Sequence, residues 1–170
     1  MTHVHQTALL VAATACVIDV RTRRIPNVLT FGAAIAGAVT QTWLGGIDGL
    51  GVSVLGWLTG ASLFFPLFAL RGMGAGDVKL LAAIGTWLGP MPTVMVAFYS
   101  TLAGGLMALA VAVRAGYLRQ AIRNMSFMAS FWLTVGFKPV EGLTLEQARA
   151  PRLAYAAPLL AGLLVTLWLQ

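Results

Sequence analysis

Residues 50–70 read LGVSVLGWLTGASLFFPLFAL, a predominantly apolar stretch without a charged side chain, and residues 71–79 continue it as RGMGAGDVK. A helix needs about 20 mostly apolar residues to cross the hydrocarbon core of a membrane. The first stretch is long enough to span, and it leads into a short segment in which three glycines precede Asp77. Ionisable groups beside membrane segments are costly to keep there, so this acid indicates a functional site.

The composition of the whole chain is that of an integral membrane protein. Of its 170 residues, 59% are apolar and only 9% are charged, and the mean hydropathy is +0.86. A soluble domain of this size carries roughly a quarter charged residues. The single cysteine, Cys16, excludes a disulfide framework and a four-cysteine zinc site within this chain.

Apolar stretches and helix breakers predict an all-α fold with about six transmembrane helices in a single polytopic domain over 1–170. The predicted spans are 6–20, 28–44, 50–70, 78–89, 92–113 and 153–169. Glycines predict a tight turn at 45–49, and Pro90 and Pro92 end the fourth span because proline removes a backbone donor. That span has about a dozen residues, roughly 18 Å at 1.5 Å per residue, and cannot cross a ~30 Å core alone.

The segment 114–152, between the fifth and sixth spans, is predicted to be a cytoplasmic and interfacial region. Within it, residues 117–137 carry a polar stripe at helical spacing with apolar side chains on the remaining surface. This pattern is typical of an amphipathic helix in the membrane interface, and a hairpin that dips into the membrane is the alternative. Further on, residues 144–147 fit a capping box that starts a short helix.

The basic residues predict the orientation in the membrane. With the N-terminus outside, ten of the eleven Lys and Arg residues fall in the cytoplasmic connections 20–27, 71–77 and 114–152, and Lys79 lies at the same edge. Lys and Arg collect in cytoplasmic loops, so this distribution favours a multi-pass membrane protein over a nucleic-acid-binding protein. Residues 1–6 contain neither Lys nor Arg, so we expect the first helix to be retained and not cleaved as a secretory signal.

Two acids lie at the cytoplasmic edge in this topology, Asp19 at the end of the first span and Asp77 at the start of the fourth. Because the fourth span is short, we expect the glycine segment before it to be drawn into the protein and Asp77 to be recessed. Two carboxyl groups that meet can share a proton and run acid and base chemistry on one water. Alternatively, Asp19 pairs with nearby arginines at the headgroups, and Asp77 is an N-cap.

The other three acids, Asp48, Glu141 and Glu146, are predicted to be solvated. The glycines at 72, 74 and 76 allow close approach of another backbone, such as an extended substrate peptide, although a merely flexible loop is the alternative. Lys79 and the arginines at 21–24 either orient the loops beside the acids or serve as cytoplasmic anchors.

The segment Gly74-Ala-Gly76-Asp77 resembles the GxGD motif of membrane aspartyl proteases. The longer run 72–83 and the segment Asp19-Val-Arg21 followed by Ile25-Pro26-Asn27 resemble the type IV prepilin peptidases, whose first segment is DxRxxxIPN. The resemblance extends over 16–89, and residues 153–158 look like the last helix of that family. It implies that Asp19 and Asp77 form the catalytic dyad. It also places the following residues in substrate binding or the active-site loops: Gly72, Gly74, Gly76, Lys79, Arg21, Pro26 and Asn27.

The resemblance further implies an endopeptidase that removes the basic leader from prepilin-like proteins at the cytoplasmic face of the bacterial cytoplasmic (inner) membrane. It would hydrolyse the peptide without a covalent intermediate, and neither aspartate can be assigned as the base because the pair titrates as a unit. The expected partners are a prepilin or pseudopilin and membrane lipid, and no metal or cofactor is expected. The chain lacks the cysteine-bearing insert of larger relatives between its first two helices, so we expect a small, Flp/tad-type peptidase without methyltransferase activity.

Two other classes of function stay open at this point. A small proton-coupled transporter could use the two acids as a relay, but transporters usually place such residues near the midplane on broken, repeated helices. Here both acids lie at one edge and no repeat is visible. The other alternative is a non-catalytic assembly factor of a pilus or secretion machine.

Overall fold

The computed structural model describes residues 3–136 and 154–169, and it confirms the all-α class. The described part contains six helices: α1 His3–Thr22, α2 Asn27–Ala69, α3 Ala75–Leu88, α4 Pro90–Arg114, α5 Leu118–Val135 and α6 Ala156–Trp168. Three of these, α1, α2 and α4, are long and apolar enough to cross a membrane. Residues 144–147, Glu141 and Glu146 lie outside the described residues.

The predicted second and third spans are the two halves of α2, which runs for 43 residues with one non-helical residue inside it. Gly46 has φ 59° and ψ −138°, a conformation that only glycine adopts without strain. A Cβ atom on Gly49 would collide with the backbone carbonyl of Gln41, so the chain doubles back at this point. The turn falls within the predicted 45–49 and divides α2 into a first half, 27–45, and a second half, 47–69.

Helix α3 is the core of the molecule and packs between the two halves of α2. Residues 80–87 are all buried. On one side the Trp87 indole Nε1 donates to the Ala33 carbonyl at 2.9 Å, and Gln41 Nε2 donates to the Trp87 carbonyl at 2.6 Å. On the other side an ideal Cβ on Gly60 would lie 2.6 Å from the Leu81 carbonyl oxygen. Protein therefore surrounds α3, and its 14 residues need not span the lipid.

Small residues bring the other helices together. The face of α1 that packs on α3 and α6 carries alanines that are completely buried, at positions 8, 12 and 15. Helix α6 lies on α4 at Gly162, where an added Cβ would be 2.5 Å from the backbone nitrogen of Ser100. Small side chains let membrane helices approach closely, because packing and not water exclusion holds them together in lipid.

Large apolar side chains cover the outside of the bundle. Leu10 is 67% exposed, Ile35 65% and Phe98 58%, and they belong to three different helices. Soluble monomers rarely expose contiguous apolar surface on this scale. Helix α5 matches the predicted amphipathic segment 117–137, and its exposed apolar side chains include Met125 and Phe127.

Candidate active site

Asp19 lies in the last turn of α1 and is only 6% exposed. It continues the buried alanine face, because residues three and four positions apart share one side of a helix. Its Oδ2 accepts a hydrogen bond from the backbone N–H of Ala156 at 3.3 Å. Arg21, two residues further on, is exposed. The side chain of Asp19 is thus turned into the protein.

Asp77 lies in the first turn of α3. The alternative role of Asp77 as an N-cap is wrong, because the helix begins three residues before the predicted start and Gly74 is its N-cap. The Asp77 carboxylate instead accepts a hydrogen bond from the Gly74 backbone, as side chains at the third helical position commonly do. An ideal Cβ on Gly74 would lie 3.1 Å from Asp77 Oδ2, so glycine leaves room for this contact.

The two carboxyl groups are brought together at one end of the bundle. Asp77 interacts electrostatically with Asp19, and their helices α1 and α3 are in contact. Both also lie beside the N-terminal end of a helix, Asp77 on α3 and Asp19 against α6. Helix N-termini carry partial positive charge and unsatisfied N–H groups, which stabilise carboxylates.

The connection between α1 and α2 packs against the start of α3. An ideal Cβ on Gly76 would lie 3.2 Å from the Cβ of Ile25, and Lys79 Nζ donates to Asn27 Oδ1 at 2.9 Å. The Lys79 ammonium also lies 5.4 Å from the centre of the Phe31 ring. The two motif segments, 19–27 and 72–79, are therefore joined by direct contacts near the aspartates.

Three further residues named from the sequence lie at this end of the bundle in other roles. Arg21 is exposed on α1, and Pro26 is the exposed N-cap of α2 in extended backbone. Gly72 closes the end of α2, where its N–H donates to the Leu67 carbonyl at 2.9 Å. Among the hydrogen bonds described within 3–136 and 154–169, none joins Arg21, Pro26 or Gly72 to the carboxyl group of Asp19 or Asp77.

Two residues beside the aspartates, Tyr155 and Ala156 at the start of α6, were not predicted as site residues from the sequence. The Ala156 N–H donates to Asp19, and Tyr155 interacts electrostatically with Asp77. The only signal was the resemblance of 153–158 to a last family helix, with Pro158 suited to the first turn of a helix. The contact spans 137 positions in sequence, and local pattern carries no information on it.

The arrangement offers two interacting carboxyl groups at the end of a lipid-facing bundle. Two carboxyl groups that share a proton can divide the work, with one accepting a proton while the other donates one. Among the described residues, no group of three or more His, Cys, Asp and Glu side chains is placed to hold a metal ion.

Comparisons with known proteins point to one family. The model of the type IV leader peptidase family matches residues 7–109. Three similar proteins are each named prepilin leader peptidase/N-methyltransferase. The protein of Aeromonas hydrophila is 36% identical over 110 residues, which cover 61% of this chain and 37% of the relative. That of Burkholderia pseudomallei (strain 1026b) is 35% identical over 119 residues, 66% of this chain and 37% of the relative.

The third, from Neisseria gonorrhoeae, is 34% identical over 117 residues, 65% of this chain and 40% of the relative. The match with this chain thus covers well under half the length of each of these relatives. No solved structure matches the chain.

Proposed function

This chain belongs to the type IV leader peptidase family, and from that premise we propose that it is a membrane aspartyl endopeptidase. Its substrates are prepilin-like proteins, from which it removes the basic leader at the cytoplasmic face of the inner membrane. The observation that carries the proposal is the juxtaposition of Asp19 and Asp77, one buried and the other partly buried. The names of the relatives, prepilin leader peptidase/N-methyltransferase, support the substrate class.

The proposed mechanism uses the aspartates as a general base and a general acid. The ionised carboxylate takes a proton from water, whose oxygen attacks the scissile carbonyl carbon, while the protonated carboxyl group donates a hydrogen bond to the carbonyl oxygen. The tetrahedral intermediate collapses, the C–N bond breaks, and the leaving amine takes a proton from the pair. The helix ends beside both aspartates stabilise negative charge during this cycle.

The enzyme is proposed to cleave without methylating. The relatives' name includes an N-methyltransferase, but the connection between α1 and α2 here runs only from Arg23 to Pro26. The chain also carries one cysteine, so paired cysteines cannot form in it. Mass spectrometry of the cleaved product should show an unmodified new N-terminus even when a methyl donor is supplied, and a methylated product would overturn this part of the proposal.

The central test replaces each aspartate by asparagine. Asp19→Asn and Asp77→Asn should each abolish cleavage of a co-expressed small prepilin, because an amide can neither accept the proton of water nor donate an acidic one. Asp48→Asn is the matched control, since Asp48 is exposed at the opposite turn of α2. Cleavage is read as the shortened prepilin on a gel, after confirming that each variant is inserted in the membrane. Normal cleavage by either dyad variant would remove that residue from the mechanism.

A further inference from the structure

Tyr155 joins three helices at the aspartate end of the bundle. It is the N-cap of α6, directly before the residue whose N–H binds Asp19. Its hydroxyl donates to the Ser100 carbonyl on α4 at 3.3 Å. Its ring meets the Phe64 ring of α2 edge to face, with centroids 5.8 Å apart and an interplanar angle of 75°. These contacts fix the start of α6 on two sides.

The ring of Tyr155 also fills a space that a glycine leaves open on α4. An ideal Cβ on Gly104 would lie 2.6 Å from Tyr155 Cε2, so the ring rests directly on the helix backbone. The next residue, Gly105, has nothing within 4 Å of an added Cβ. One glycine of this pair thus accommodates the tyrosine, and the other faces outward.

We propose that Tyr155 is a positioning residue for the aspartate pair, a role that rests on the proposed function. By holding the first turn of α6 against α2 and α4, it keeps the Ala156 N–H on Asp19 Oδ2. The Ala156 amide is the first of the N–H groups that a helix cannot satisfy internally, and here it has a buried carboxylate as its acceptor. A reacting group that is displaced by about 1 Å can lower the rate on the order of 100-fold.

The kinetic test compares four variants of the full chain in detergent, with a synthetic peptide of a basic leader and the start of an apolar helix as substrate. Tyr155→Leu removes the ring, and Gly104→Ala displaces it; both should lower kcat about tenfold or more with KM within about twofold. Tyr155→Phe keeps the ring and removes the hydroxyl, which also forms a hydrogen bond with the Thr101 side chain. It should retain kcat within about threefold, since each neutral hydrogen bond contributes little net energy. Gly105→Ala is the matched control and should match the wild type.

Equal losses of kcat in Tyr155→Leu and Tyr155→Phe would overturn the positioning role of the ring in favour of a chemical role for the hydroxyl. Unchanged kcat in Tyr155→Leu would overturn it outright. Both comparisons require a wild type that cleaves.

A second measurement does not depend on activity. Hydrogen exchange of the Ala156 amide, followed by NMR, should be slow in the wild type and in Gly105→Ala. It should accelerate in Tyr155→Leu and Gly104→Ala, and also in Asp19→Leu, which removes the acceptor. If the wild type fails to cleave the peptide while exchange follows this pattern, the proposed function fails and the contact stands. Unaltered exchange in all variants overturns the positioning role whatever the cleavage result.

Discussion

At the scale of single residues, glycine at position 74 allows the Asp77 carboxylate to fold back onto the start of its own helix. A side chain at 74 would begin 3.1 Å from Asp77 Oδ2 and compete for the same space. Gly76 has a different neighbour, Ile25, which belongs to the connection after α1. The glycines of the motif therefore serve close approach of the chain to itself.

A larger side chain at 76 tests this interpretation. Gly76→Val should lower the cleavage rate about tenfold or more, because its Cβ would lie 3.2 Å from Ile25 Cβ and push apart the two motif segments. The measurement is the rate of leader removal from a prepilin in membranes. Gly32→Val is the control, since Gly32 lies in α2 with nothing within 4 Å of an added Cβ. Unimpaired turnover in Gly76→Val would show that this contact does not maintain the aspartate geometry.

At the scale of helices, α3 positions Asp77 by being packed tightly on both sides. The second half of α2 approaches it so closely that a Cβ on Gly56 would collide with the carbonyl of Gly85. Backbone cannot yield as a flexible side chain can, so the contact requires glycine at both positions. The register of α3 against α2, and with it the depth of Asp77, depends on this contact.

Substitution at this contact should destabilise the protein. Gly56→Val is expected to cost about 1–3 kcal/mol or more, the usual range for overpacking a close interface. Thermal unfolding in detergent, followed by circular dichroism, should show a midpoint lower by several degrees than that of the wild type. Gly51→Val is the matched control on the same helix, because Gly51 has nothing within 4 Å of an added Cβ. Equal midpoints for the two variants would contradict the tight packing of α2 on α3.

At the scale of the whole molecule, the distribution of Lys and Arg among the loops predicts one orientation in the membrane, with the N-terminus of α1 outside. Cysteine labelling tests it in a Cys16→Ala background. Asp48→Cys, at the exposed turn of α2, should react with an impermeant maleimide added outside intact spheroplasts. Arg119→Cys, exposed on α5, should react only after the membrane is permeabilised. The reverse pattern would place both aspartates at the outer face and contradict cleavage at the cytoplasmic side.

The amino-acid sequence alone was enough to predict the fold class, and it singled out the two acids on which the candidate site is built. Apolar stretches separated by glycine and proline predicted an all-α bundle, the turn at Gly46 and the shortness of α3. The chain has only five acidic residues, and two of them, Asp19 and Asp77, lie at the ends of apolar stretches. They stand out because charged residues are rare beside lipid. These features are local, so each can be read from a window of neighbouring residues.

Only the tertiary structure decided which apolar helix is enclosed by protein and which groups complete the aspartate site. Residues 80–87 are as apolar as the lipid-facing helices, and hydropathy cannot distinguish protein from lipid as their surroundings. Helix α3 is buried by segments that are distant from it in sequence. The hydrogen bond from Ala156 to Asp19 and the packing of the Tyr155 ring on Gly104 also join distant parts of the chain. Such contacts follow from how small residues let helix backbones approach, a property of pairs of helices that no single stretch of sequence carries.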